Sequence, residues 1–175
     1  LLTLIDICQK EINTIIDKDN NMINKYLKKK KYIINLLLII IWMTFIFFMS
    51  NQPAETSDSQ SLGIITMLSK MGIDMSGMFG DIANFIVRKC AHFLEYMILG
   101  FLIINLIKQD LKLKYIILIA IGGVFLYACT DEFHQLFVSG RDGNFRDIFI
   151  DTSGGTTSAL LFSLKRLLIK NRINE

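Results

Sequence analysis

The chain has 175 residues, of which 52% are hydrophobic and only 20% charged, with 13 Phe, a single Pro and a formal net charge of +3. Mean hydropathy is +0.44, and the apolar residues gather in long runs instead of recurring with a core-like period, which excludes a disordered chain, argues against a soluble globule and makes the bilayer the natural solvent. The 19 Lys and Arg stand mostly beside the apolar runs, where they set topology, so no nucleic-acid partner is expected. The three cysteines, Cys8, Cys90 and Cys129, are unpatterned and flanked by apolar residues; they read as small core residues, neither a disulfide framework nor a metal site. The chain begins at Leu1 instead of Met, which fits a non-standard initiation codon or a trimmed start.

In chain order, residues 1–31 come first as a basic leader. Leu1, Ile5, Cys8, Ile12 and Ile15 recur every three to four residues among charged neighbours, which suits an amphipathic helix on the cytoplasmic membrane surface; a loosely ordered Asn-rich leader suits the composition equally. Residues 32–50 carry no charge over 19 positions and are long enough to cross the hydrocarbon. This run starts too late and is too long for a signal peptide. Residues 51–80 are polar and rich in small residues, with an apolar patch (Leu62, Ile64, Ile65, Met67, Leu68, Met71) that predicts a short surface helix. Three more crossings are expected at about 85–107, 115–138 and 148–164, the last ending in a basic tail, 166–175.

Lys and Arg number seven in residues 1–31, one in 51–81, three in 108–114, two in 139–147 and four in 165–175. Basic residues concentrate on the cytoplasmic side. The alternation therefore predicts an all-α, polytopic four-helix transmembrane bundle over residues 32–165, with N- and C-termini cytoplasmic. Lacking any internal repeat, the chain offers little support for an inverted-repeat transporter.

Ionisable groups inside crossings are costly, about 2.5 to 3.5 kcal/mol at the bilayer centre, and are usually paired or functional. In the second crossing Asn84, Arg88, His92 and Glu95 share one stripe, with Lys89 beside it and Tyr96 at its edge. In the third, Tyr127, Asp131, His134 and Gln135 share a face, with Glu132 adjacent. The following loop holds Gly140, Arg141 and Arg146, then Asp147, placed to cap the fourth crossing, and Asp151 one turn on. The predicted topology puts His92, Glu95, Asp131 and Asp151 in one layer roughly 5 to 15 Å below the outer boundary. Gly154, Gly155, Ser158 and Ala159 would let the fourth helix approach a neighbour closely.

Such a layer can be interhelical glue, for instance through Arg88 with Asp131 and Arg146 with Asp147, or a pocket open to the outer face that binds a polar head group. Proton transfer would need one donor and one acceptor near neutral pH, which His92 with Glu95, or His134 with Asp131 or Glu132, can supply; these five are the candidate catalytic residues. Candidate binding residues are Arg88, Lys89, Tyr96, Gln135, Arg141, Asp147 and Asp151. The spacings His92-x-x-Glu95 and Asp131-Glu132-x-His134 define no tight ligand set, so no metal and no other cofactor is expected. Nucleophile elbow, phosphate-binding loop and dinucleotide fingerprint are all missing.

The succession Ser50-Asn51-Gln52-Pro53, Arg88-Lys89-x-Ala91-His92-Phe93-x-Glu95-Tyr96-x-x-Leu99-Gly100, Asp131-Glu132-x-His134-Gln135-x-Phe137-x-x-Gly140-Arg141 and Asp147-x-x-x-Asp151-x-x-Gly154 resembles the VanZ family. The resemblance spans about residues 35–165. It implies a multi-pass protein of the bacterial cell membrane with a role in tolerance of teicoplanin-like lipoglycopeptides. The partners it implies are membrane lipids and a lipid-linked cell-wall precursor or a lipoglycopeptide, and it carries no catalytic assignment. Two alternatives stay open: a non-enzymatic scaffold or surface-property modifier, and a proton-coupled transporter, which would need a polar path through cytoplasmic halves that hold almost no polar groups.

Overall fold

The computed structural model describes residues 2–174, with side chains from 16 to 173 except that of residue 17. Only helices are found among them: α1 (Leu2–Ser50), α2 (Ala54–Lys70), α3 (Met75–Phe79), a 3-10 turn (Gly80–Ile82), α4 (Ala83–Ile107), α5 (Leu113–Gln135) and α6 (Phe145–Asn174). The chain divides into two units, Leu1–Leu37 and Leu38–Glu175. Within the described part of the first, the backbone is the uninterrupted beginning of α1, and Lys28, Lys29, Lys30 and Lys31 are all exposed. The expected amphipathic face of the leader falls on side chains outside the described residues.

Among the described residues, three helical stretches are long and apolar enough to cross a membrane: Lys18–Ser50, Met75–Ile107 and Leu113–Gln135. At about 1.5 Å per residue, the 25 residues of α4 and 23 of α5 each exceed the roughly 30 Å of hydrocarbon. Although α6 has 30 residues, it is not among the three. Asp147, Asp151 and a run of Ser, Thr and Gly from Thr152 to Ser158 dilute its apolar character. Those polar groups are largely turned inward, since Asp147, Asp151 and Ser158 are buried.

In the second unit, the end of α1 packs with α4, α5 and α6 around one apolar cluster of Ile39, Ile46, Tyr96, Leu99, Val124, Ala128 and Ile148. A second cluster, Ile104, Ile116, Ala120 and Ala159, ties α4, α5 and α6 together further along. The close approach of α6 rests on glycine: a Cβ on Gly154 would strike the Phe93 carbonyl and Met97 amide of α4, and one on Gly155 would strike Val124 of α5. The small residues thus act as the sequence suggests.

A helix, α2, stands where a short surface helix was expected, and it runs longer than its apolar patch. Ile65 is buried against Ala83 and Val87 of α4, while Leu62, Ile64, Met67 and Met71 remain exposed. Helix boundaries differ from expectation: α1 is one helix from Leu2 with no break before residue 32, and α6 runs on to Asn174. α5 ends at Gln135, three residues early, because the amides of Phe137 and Val138 bond back to His134 and Gln135 in a tightened turn that leads to Gly140 at φ 72°. α6 starts at Phe145 with Asn144 before it: the Asn144 side chain accepts from the Arg146 amide at 3.1 Å and its carbonyl accepts from the Asp147 amide at 2.8 Å. Asn144, and not Asp147, therefore serves as the cap. The core role read for cysteine fails at Cys90, which is exposed, about 200° round the helix from Arg88. Cys129 is half-buried.

Candidate functional site

Four sequence-distant segments meet at one end of the packed helices: the C-terminus of α1, the first half of α4, the last two turns of α5 and the loop into α6. Their meeting is fixed by hydrogen bonds across long separations. Ser50 donates to Asp131 Oδ2 at 2.7 Å, and Gln135, one turn beyond Asp131, donates to the same oxygen at 3.3 Å. The Arg141 guanidinium donates to the Gln52 carbonyl at 2.8 Å and to the Met49 carbonyl at 3.4 Å. Trp42 Nε1 donates to the Glu95 carbonyl at 2.9 Å, and the Tyr127 hydroxyl to the Met43 carbonyl at 2.5 Å. A backbone bond from Ala54 to the Ser139 carbonyl seals the loop against the start of α2.

The expected ion pairs are replaced by others. Arg88 does not reach Asp131; it pairs with Asp58 of α2 at 2.8 Å, because the stripe bearing Arg88 faces α2 at that level. Asp147 pairs with Lys89 at 2.5 Å, and not with Arg146, whose guanidinium lies over the Phe85 ring at 5.4 Å. Asp147 also sits in the first turn of α6, where a negative charge complements the helix dipole. Arg141 lies in the loop, and burial pulls its guanidinium below the ordinary value.

His92, Glu95, Asp131 and Asp151 do gather. His92 Nδ1 lies 3.9 Å from Glu95 Oε2, and one ligand-type atom each from His92, Asp131 and Asp151 lies within 4.8 Å of the others. The Tyr96 hydroxyl stands beside the Asp131 carboxyl group. Glu132 is buried next to this set and accepts from the Asn144 amide at 2.8 Å. His134 does not join: its Nε2 meets Asn51 Oδ1 at 3.0 Å and its ring lies 4.5 Å from the Phe47 ring, on the α1 side of α5. Neither Asp131 nor Glu132 has His134 as a hydrogen-bond partner.

Two cavities flank His92. One, of about 410 Å³, lies between α2 and α4 and is lined by Arg88, His92, Glu95 and Arg141 opposite Ser57, Gln60, Ser61 and Ile64. The other, of about 200 Å³, shares Arg88, His92 and Arg141 and adds Lys89, Gln135, Asp142 and Asp147. A larger cavity of about 720 Å³ at the far end of α4 and α6 has Lys108, Lys165 and Arg166 among mainly apolar residues, with no His or carboxylate in its lining. Size alone therefore does not locate the chemistry.

Sequence reasoning missed Asp58, and it placed Ser50 in the family pattern but not among the site residues. Ser50 closes an uncharged run at a fully buried position, and Asp58 lies in the acidic stretch before α4. Neither residue type in its local pattern singles out a partner 81 or 30 residues away.

Packed apolar helices with a buried polar end define a helical membrane protein whose ionisable groups converge from separate helices. The chain belongs to the VanZ/LLP1 family, whose family model matches residues 35–166. Neither the curated proteins nor the solved structures hold a match to it.

Proposed function

We propose that this polar end is a pocket facing the outer side of the bacterial cytoplasmic membrane, where it binds or modifies an envelope lipid or a lipid-linked cell-wall precursor. By this route it would contribute to tolerance of teicoplanin-like lipoglycopeptides, the role that the VanZ resemblance implies. The observation that carries the reading is the convergence of Arg88, His92, Glu95 and Arg141 on one cavity beside the buried carboxylates of Asp131 and Asp151. Basic groups at the mouth suit an anionic head group, and the imidazole and carboxylates behind them suit proton transfer. Apolar residues exposed on α2, such as Ile64 and Met67, suit acyl chains. Outward orientation is supported by the alternation of Lys and Arg between segments, with α6 as a fourth crossing whose polar residues are kept from lipid by α4 and α5.

Replacing His92→Ala, Glu95→Gln or Asp131→Asn is expected to abolish the tolerance or envelope phenotype while expression and thermal stability hold. Mass spectrometry of lipids and wall precursors from matched strains separates the reactions: a new or missing species marks an enzyme, and an unchanged profile with loss of a partner marks a scaffold. Loss of the phenotype only in step with loss of folded protein would overturn the pocket.

A further inference from the structure

We infer that His92, Asp131 and Asp151 form a binding site for one divalent transition cation, zinc or manganese. The three residues come from α4, α5 and α6, and their ligand-type atoms already lie within 4.8 Å of one another. Three atoms about 2.0 to 2.2 Å from a common ion stand roughly 3.3 to 3.8 Å from each other, so side-chain shifts of up to about 1 Å complete the set.

Asp131 and Asp151 are 3% and 1% exposed. His92 Nδ1, Asp131 Oδ1 and Asp151 Oδ2 are all buried and have no hydrogen-bond partner at ordinary geometry, although Asp131 Oδ2 is held by Ser50 and Gln135 and the Tyr96 hydroxyl stands beside the Asp131 carboxyl group. A polar atom left unmatched in a dry interior is costly, and a cation held by these three residues, one from each of three helices, would match all of them at once.

Charge points the same way. Among the described residues no Lys or Arg forms an ion pair with Asp131 or Asp151: Lys89 is engaged with Asp147, Arg88 with Asp58, and Arg141 with main-chain carbonyls. Two carboxylates and a neutral imidazole would neutralise a doubly charged ion, as a buried site at membrane depth requires. The nitrogen ligand favours zinc or manganese over the all-oxygen preference of magnesium and calcium. Ser50 and Gln135 on the second oxygen of Asp131 would orient that ligand, and Glu95 beside His92 is placed to do the same for the imidazole.

The site goes beyond the pocket reading and does not rest on it, because metal binding is measured with no lipid present. The full chain, purified in detergent and stripped with a chelator, is titrated with Zn²⁺, Mn²⁺ and, as a control, Mg²⁺. The expected result is about one equivalent of Zn²⁺ or Mn²⁺ retained per chain, with a rise in Tm on binding. The His134→Gln variant should retain the ion, and His92→Ala and Asp151→Asn should lower affinity more than about 100-fold. A metal-free chain whose Tm ignores Zn²⁺ and Mn²⁺, retention by the two site variants, or binding of Mg²⁺ alone would overturn the assignment. Should a site variant fail to fold, pulsed EPR of the Mn²⁺-loaded unmodified chain decides. Coupling to one imidazole nitrogen upholds the site, and its absence refutes it.

Discussion

Two ion pairs lie next to each other in sequence and differ in burial. Lys89 and Asp147 have side chains 16% and 12% exposed, against 29% and 45% for Arg88 and Asp58. Removing one partner of a desolvated pair strands the other charge, so Lys89→Met is expected to cost about 3 to 5 kcal/mol. Arg88→Met should cost about 1 kcal/mol or less, because water replaces the lost partner. Thermal unfolding of the two variants in detergent checks the ordering, and equal losses would contradict it. The stripe of Arg88, His92 and Glu95 was legible in sequence because helical spacing fixes which residues share a face. The partners were not, because nothing local to Arg88 distinguishes Asp58 from Asp131. His134 shows the same limit: it shares a face with Asp131 by spacing, yet the packing of α1 draws its ring toward Asn51 and Phe47.

At the scale of elements, the contact of α6 with α4 is main chain against main chain. A methyl group at Gly154 would meet the carbonyl of Phe93 and the amide of Met97, neither of which can rotate away. Gly154→Ala is therefore expected to cost more than about 3 kcal/mol, at or beyond the usual range for overpacking. Gly122 of α5 has nothing within 4 Å of where its Cβ would stand, so Gly122→Ala should leave stability unchanged or raise it, by up to about 1 kcal/mol through helix propensity. Equal destabilisation by both substitutions would mean that this close approach is not what holds α6. The apolar helices α4 and α5 were read from composition and length alone, to within a few residues, whereas of α1 only the end at Ser50 was, since the helix begins at Leu2 and not at residue 32. α6 was read as one more apolar run that carries charges; the helix is there, though too polar to stand among the three apolar spans. Its cap was misplaced, because Asn144 and Asp147 are both good capping residues and only the turn geometry selects between them.

For the whole molecule, the proposed orientation in the bilayer rests on the basic residues, and accessibility tests it. In a chain with Cys8, Cys90 and Cys129 replaced, Ser59→Cys and Ser139→Cys, both at exposed positions, should react with a membrane-impermeant maleimide added outside. Lys112→Cys should react only after permeabilisation. The reverse pattern would turn the polar end to the cytoplasm. The grip on the end of α1 has a further consequence, in time. Ser50 and Asn51 wait for Asp131 and His134, 81 and 83 residues downstream, and the carbonyls of Gln52 and Met49 wait for Arg141, 89 and 92 residues downstream. A helix leaves its last carbonyls without intrahelical donors, and Pro53, next in line, has no amide hydrogen to offer. Because the ribosome works from the N-terminus, the first helix made is the last to be finished at this end: it stays open until residue 141 of 175 has emerged.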